Sequence, residues 1–438
     1  METVAEPRPY DVTAEVVEHC RELIRLDTSN FGDDSGPGER KAAEYVAGAL
    51  SDAGLDPMIV ESAPGRASVL ARWEGADPQA SPLLVHGHLD VVPAQAADWS
   101  VDPFAAEVVD DYVYGRGAVD MKDFDAMLLS VVRARRAAGA APRRPVVLAF
   151  TADEESGSRK GAHWLVEEHA DWFEGCTEAI GEVGGFSTEV GGQRLYLVES
   201  GEKGMAWLRL TARGTAGHGS MRHPDNAVSA LARAVAAIGE HEWPVAPGPS
   251  MQSLLTKVRE LTHGGGDDPD ELIAAFGPAA RMVGAGIRNT TNPTMLQAGY
   301  KVNVVPGEAV ARVDGRFLPG QRETFIEQVR ALVGDRIEID VEISDVALET
   351  EFSGDLVDAM TTALLAEDPD AHVAPFLMSG GTDAKAWDRL GIRSFGFTPL
   401  RLPADLDFTA LFHGIDERVP VDALHFGARV LDRFLDSA

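Results

Sequence analysis

Pro82-Leu-Leu-Val-His86-Gly-His88-Leu-Asp90-Val-Val-Pro93 is the stretch that decides how this chain reads. Pro82–Val85 is a short apolar run with the look of a buried strand, and it ends directly on two imidazoles and a carboxylate. In extended backbone alternate residues share a side, so His88 and Asp90 point the same way. A carboxylate placed there can accept the second ring N–H of a metal-bound imidazole and fix its tautomer. Alone, the stretch reads equally well as two ordinary histidines at a strand end. Elsewhere the pattern recurs in Gly115-Arg-Gly-Ala-Val-Asp120, Asp153-Glu154-Glu155, Glu182 and Phe412-His413. Neutral imidazoles and carboxylates without thiolates are the ligand set of catalytic zinc or a similar divalent ion. Together these stretches point to metal-dependent hydrolysis.

Each piece has an ordinary reading as well. Asp120 precedes a helix and serves equally as an N-cap or, with its two oxygens, as a bridge between cations. The three acids Asp153, Glu154 and Glu155 follow the apolar run Pro145–Thr151. Acids crowded at a buried strand end repel one another unless cations are present, although a solvated acidic turn would also carry them. Adjacent residues point in different directions, so one glutamate can bind metal while its neighbour faces a substrate as a base. Ile180-Gly-Glu182 repeats the strand-then-acid order, and His413 sits in a loop. His218, flanked by Gly217 and Gly219, is exposed and suited to touching a substrate oxygen. Gly380-Gly381 offers backbone N–H groups to an anion.

Working outward, the first half alternates helix and strand. Helices are expected at Val12–Leu26, Gly38–Ala53 and Asp123–Ala138, and strands at Ala67–Trp73, Pro82–Val85, Pro145–Thr151 and Thr177–Gly181. That order implies a mostly parallel sheet covered on both faces, with ligands gathering at the carboxyl ends of its strands. Near Gly201 the texture changes. Met205–Arg213, Thr294–Gln297, Lys301–Phe317 and Arg336–Ile343 read as strands, and Asp225–Gly239 and Glu323–Val333 as helices. The resulting βαββαβ order predicts an inserted α+β layer domain. The expected division is a catalytic α/β unit of residues 1–201 and 345–438 around an inserted unit of residues 202–344. Within the inserted unit, between its first helix and second strand, His241–Arg288 is rich in Gly and Pro and longer than a simple loop should be. The α/β texture returns with a helix at Asp355–Ala366 and a strand at Ser394–Phe397.

Composition bounds the function. The 438 residues favour two domains, and a net charge of −31 argues against nucleic acid or an anionic membrane as partner. Cys20 and Cys176 are too few for a disulfide framework. Met1–Tyr10 has no basic segment leading into an apolar one, and no apolar run is long enough to span a bilayer, so the cytoplasm is the expected compartment.

His88-Leu-Asp90-Val-Val-Pro93, Trp99 with Asp102-Pro-Phe104, Gly115-Arg-Gly117 with Asp120-Met-Lys122, and Asp153-Glu154-Glu155-Ser-Gly157 resemble the dinuclear zinc amidohydrolases. That family includes aminoacylase, carboxypeptidases G and S, acetylornithine deacetylase and succinyl-diaminopimelate desuccinylase. The likeness continues through Gly214–Ser220, Asn303-Val-Val-Pro306, Asp314-Gly-Arg316 with Pro319-Gly320, Gly380–Asp383 and His413-Gly-Ile-Asp-Glu417, covering nearly the whole chain. The resemblance implies that His88 and Glu182 hold one zinc, Glu155 and His413 the other, and Asp120 bridges them. Cobalt or manganese could substitute for zinc. It implies that Asp90 orients His88 and that Glu154 is the general base, with a cis peptide after Asp120. It further implies that the inserted domain is a lid that also dimerises, that His218 reaches a neighbouring subunit's site, and that Asn303 and Arg316 contact substrate. Ala298-Gly299 replaces the family's usual Gly-Gly, and His241–Arg288 is long, as on the carboxypeptidase S and aminoacylase side. Glu182 is Asp in dipeptidase and aminopeptidase members.

The expected activity is therefore hydrolysis of the amide of an N-acyl amino acid, or of a short peptide with a free carboxylate. Two rivals stand beside it. A dipeptidase or aminopeptidase would bind a free amine instead. A catalytically inactive binding protein would have lost Glu154 or a ligand, and none is missing.

Overall fold

The structure is a computed structural model that describes residues 8–33, 35–263 and 266–438. Four strands lie side by side and parallel at the centre of a ten-stranded sheet, in the order Val146–Thr151, Leu83–His88, Glu178–Gly181, Arg393–Gly396. Every residue of Leu83–His88 and of Val146–Thr151 is buried, because both faces of the sheet are covered. One face carries the helices Val16–Arg25, Lys122–Ala137 and Val421–Ser437, with Leu23, Phe124, Met127 and Phe434 in the core. Trp387, Phe173 and Leu165 cover the other face over Leu84 and Leu70. Parallel strands end on the same edge, so His88, Thr151 and Gly181 deliver the residues that follow them to one place.

Of the flanking strands, the sequence reading gives Ala67–Trp73, observed as Arg66–Trp73, and not the others. Met58–Ala63 pairs antiparallel with Arg66–Trp73, which borders Val146–Thr151. Beyond Arg393–Gly396, Gln193–Glu202 pairs with His372–Met378 and Phe186–Val190.

A second sheet orders Thr290–Ala298, Glu308–Phe317, Gly204–Arg213 and Ile337–Asp345, all antiparallel. The expected βαββαβ succession is present. Glu308–Phe317 alternates buried with less buried residues, as a strand covered on one face should. The covering comes from Ala227–Gly239 and Arg322–Val333 through Leu231, Ala234, Phe325 and Val329.

The segment 241–288 is not a plain loop. It forms helices at Pro249–Leu261, Pro269–Ala274 and Ala280–Gly284. Its prolines read as breakers, yet Pro249 and Pro269 stand at helix starts, where a missing N–H costs nothing. Met251, Leu254, Leu255, Val258 and Leu261 fall on one face and enter the core of the large sheet. Residues 202–344 therefore contribute to two cores. No helix among the described residues is long and apolar enough to cross a membrane. Of Met1–Tyr10, where a leader was sought, residues 1–7 lie outside the described residues.

Candidate metal centre

Asp120 is the middle of the site. Its Oδ1 lies 3.0 Å from His88 Nε2, and its Oδ2 lies 3.2 Å from His413 Nε2. Glu182 Oε2 stands 3.2 Å from His88 Nε2, and Glu155 Oε2 stands 3.1 Å from His413 Nε2. Two imidazole–carboxylate nests thus share the two oxygens of one aspartate. Glu154 Oε2 is further off, 4.0 Å from His88 Nε2. The peptide Asp120–Met121 is cis.

The turn that presents Asp120 is held from a distance. Glu417, fully buried, accepts hydrogen bonds from Arg116 Nη1 at 2.7 Å, Gly117 N at 3.1 Å and Val119 N at 2.8 Å. Arg116 Nη2 also donates to the His413 carbonyl at 3.3 Å, so one ion pair ties together the loops of both outer residues. Gly117 is required here: φ is +86°, and a Cβ would meet Val91 Cγ1 at 2.7 Å.

On the other side, His88 Nδ1 donates to the backbone carbonyl of Asp90 at 2.9 Å. The sequence reading put the Asp90 carboxylate in that role, but its nearer oxygen is 3.7 Å away. The carboxylate is otherwise engaged. It accepts from Asn30 Nδ2 at 2.9 Å and from the backbone N–H groups of Glu154 and Glu155 at 3.0 and 3.1 Å. Asp90 therefore shapes the turn that carries both glutamates. Because Nδ1 donates to that carbonyl, Nε2 is the nitrogen turned toward Asp120 and Glu182, and on giving up its proton it would be the atom that ligates a metal.

The electrostatics fit divalent cations. Burial pushes the carboxyl pKa of Glu154 well up, and the charge of Glu182 adds to it. Burial likewise lifts Glu155, with Asp120 contributing, and lifts Glu182 to about 8. Burial opposes a charge on Asp120, but hydrogen bonds to His413 and His88 outweigh it and hold its carboxyl below the usual range. Hydrogen bonds to Asp120 and Glu155 raise His413 to about 10. For His88, burial opposes the rise, but Glu182 and Asp120 prevail. Protons on imidazoles and glutamates here balance charge that cations would balance in their place. His86 does not join the cluster. It is buried against Trp387, with ring centroids 5.6 Å apart, and burial lowers its pKa to about 3.

The remaining expected residues lie apart. His218 is exposed, its Nδ1 2.8 Å from Ser220 Oγ, and its backbone pairs with Val304 next to Asn303. Arg316 grips Asp314 with two hydrogen bonds, Nε to Oδ1 at 2.7 Å and Nη2 to Oδ2 at 3.1 Å. Gly381 lies over Lys385, whose Nζ would be 2.5 Å from a Cβ there. The next N–H, that of Thr382, already donates to Glu202 at 3.1 Å. Among the described residues, no hydrogen bond or ion pair joins His218, Asn303, Arg316 or Gly381 to the cluster. Sequence reasoning missed Asn30, Arg116 and a role for Glu417. Their partners are 60 to 301 residues away, so no local pattern marks them.

The profile of peptidase family M20/M25/M40 matches residues 84–437. The N-fatty-acyl-amino acid synthase/hydrolase PM20D1 of Xenopus tropicalis is 28% identical over 444 residues, covering 94% of this chain and 83% of that protein. Probable carboxypeptidase S-like 2 of Dictyostelium discoideum is 30% identical over 387 residues, covering 81% and 71%. The fold is that of the metallo-carboxypeptidase Sso-CP2 of Sulfolobus solfataricus, with a TM-score of 0.72 at 18% identity over 97% of this chain and 99% of the other. The chain belongs to peptidase family M20/M25/M40 and is a metal-dependent amidohydrolase of that family.

Proposed function

We propose that this enzyme hydrolyses the amide bond of N-acyl amino acids, or of short peptides with a free carboxylate, with two divalent ions at the Asp120 cluster, zinc being the expected metal. The observation that carries this reading is the sharing of Asp120: one oxygen faces His88 and Glu182, the other His413 and Glu155. Those five residues would hold the ions, which would supply Lewis-acid polarisation of the scissile carbonyl and a more acidic water. Glu154 is the acid left over, close enough to belong to the site and free of the shorter contacts. Burial and the neighbouring Glu182 charge favour a proton on it, as a group that takes one from water requires. It takes a proton from the attacking water and returns it to the leaving amine. Asp90, through the N–H groups of Glu154 and Glu155, keeps that carboxylate aimed.

In this reading the unit 202–344 carries the lid, over the catalytic unit of 1–201 and 345–438. His218 stabilises the oxyanion, Asn303 and Gly381 contact the substrate, and Arg316 reads its carboxylate. Asp314 would hold the guanidinium ready for a second partner. The open edge strand Thr290–Ala298, with exposed Met295 and Leu296, supports a homodimer through the lid. The net charge of −31 and the cytoplasm as compartment belong to the same reading. A dipeptidase would instead prefer free over N-acylated dipeptides in side-by-side assay.

Glu154→Gln tests the assignment. The amide keeps the shape but cannot accept a proton, so turnover should fall by about 10²–10⁴-fold while elemental analysis still finds two metals per chain. Retention of turnover would place the base elsewhere.

A further inference from the structure

We propose that Asn30 is a positioning residue of the reaction, and that its amide, backed by Arg66, holds the turn of Glu154 and Glu155 in register with His88. The inference rests on the reading above of Glu154 as base and Glu155 as ligand. It starts from a buried amide with every hydrogen-bonding position filled. Asn30 Nδ2 donates to Asp90 Oδ2 at 2.9 Å and to Asp153 Oδ1 at 3.1 Å. Its Oδ1 accepts from Arg66 Nη2 at 2.9 Å and from Gly32 N at 3.0 Å. The partners fix which end is which, because the carboxylates need donors and the guanidinium needs an acceptor. Aspartate has this shape without the donors. Glutamine has the donors on a stem one methylene longer. The backbone of Asn30 is itself fixed: its N–H donates to Val91 O at 2.9 Å, just past His88 and Asp90.

Both carboxylates that Asn30 holds belong to one turn. Asp90 accepts from the N–H groups of Glu154 and Glu155. Asp153 opens the turn at φ +65°, in the left-handed region that is uncommon for a residue with a side chain. Its Oδ2 accepts from Lys160 N at 2.9 Å and its carbonyl from Ser158 N at 2.7 Å, so it closes the far side of the turn as well. Two buried carboxylates within reach of one nitrogen repel each other, and the NH₂ of Asn30 draws them together. Positive charge stands behind the amide. Arg66 Nη1 donates to Glu39 Oε1, and both side chains are buried. Arg66 opens the strand Arg66–Trp73, and Glu39 precedes the helix Arg40–Asp52. The base is thus aimed by elements that supply none of the five candidate ligands. Among the described residues, no hydrogen bond joins Asn30 to Glu154 or Glu155 themselves. The simpler account is that Asn30 only fills a polar gap in the core. It predicts a lower melting temperature, with turnover and metal unchanged in the folded enzyme.

Asn30→Asp is the test, because it keeps the acceptor that Arg66 and Gly32 N need and removes only the donors facing Asp90 and Asp153. The assay uses metal-loaded full-length enzyme and the best substrate from a panel of N-acyl amino acids and dipeptides. Misplacing a reacting group by about 1 Å costs about 10²-fold, so kcat should fall by about 10- to 100-fold while KM stays within about threefold. Competition with a chelator should release one of the two ions about 10- to 100-fold more readily than in the wild type, the range expected when a partner of a metal ligand is disturbed. Circular dichroism and melting establish that the variant is folded. Asn30→Ser adds no charge and leaves room for a water. It should show the same changes at smaller size, and it stands in for Asn30→Asp if that variant does not fold. Folded variants with wild-type kcat and wild-type hold on both ions overturn the proposal. Glu154→Gln is run beside them. If it keeps its turnover, the base reading fails and this inference with it. If it loses turnover while the Asn30 variants keep theirs, only this inference fails.

Discussion

Glu417→Gln is the sharpest test of how the centre is held. The carboxylate accepts three hydrogen bonds in a fully buried position, from the Arg116 guanidinium and from the N–H groups of Gly117 and Val119. A glutamine keeps one acceptor oxygen and turns an NH₂ toward at least one of those donors. Losing the charged bond to Arg116 costs about 1.5–3 kcal/mol, and a stranded buried N–H about 1–3 kcal/mol more. The sum agrees with the roughly 3–5 kcal/mol typical of a broken buried pair. Burial works against the carboxylate, raising its pKa to about 7 despite Arg116, so part of the pair's worth is already spent on desolvation. The damage should also reach function, because Arg116 binds the His413 carbonyl and Glu417 spans the turn before Asp120. Urea unfolding should show the loss of stability, and elemental analysis after gel filtration should find less than the wild-type metal content. If the variant unfolds within about 1 kcal/mol of wild type and keeps all its metal, Glu417 is not the clamp described here.

Three further outcomes are expected. Arg316→Ala should reduce kcat/KM for a free acid by about ten- to hundredfold and for the matching amide far less; equal losses would mean that the Asp314–Arg316 pair only braces the lid. Lys203 is buried with Nζ 3.0 Å from Ala285 O, 2.8 Å from Arg288 O and 3.0 Å from Thr290 Oγ1, contacts a neutral amine satisfies by donating to the two carbonyls and accepting from the hydroxyl, and burial lowers its pKa to about 7. A lysine that is neutral when folded and charged when unfolded costs stability as pH falls from its free value of about 10.4 toward 7, by at most about 1.4 kcal/mol per pH unit. Lys203→Met should remove that slope in urea midpoints measured between pH 8 and 10, and an unchanged slope would exclude Lys203 as its source. Leu296→Lys places a charge on the open edge strand and should shift a lid-mediated dimer to monomer in analytical ultracentrifugation, leaving the melting temperature within a few degrees.

Much of this protein is legible in local pattern. Apolar runs ending on His88, on Glu154 and Glu155, and on Glu182 show in the chain itself, because a buried parallel strand must be apolar throughout and polar where it stops. The βαββαβ succession of the second unit follows from periodicity in the same way, and the structure contains it. Other features have no local signature. Nothing near Asp90 indicates that its carbonyl would meet His88 while its carboxylate turned to Asn30 and the Glu154–Glu155 turn. Met251, Leu254 and Val258 have helical spacing, but the surrounding Gly and Pro hid it, and only packing assigns that face to the large sheet. The Arg116–Glu417 clamp joins residues 301 positions apart. Sequence by itself settled which residue types stand at strand ends, because that depends on a few neighbours. Which nitrogen faces which oxygen, and what walls the site, depended on contacts that exist only once the chain has closed on itself.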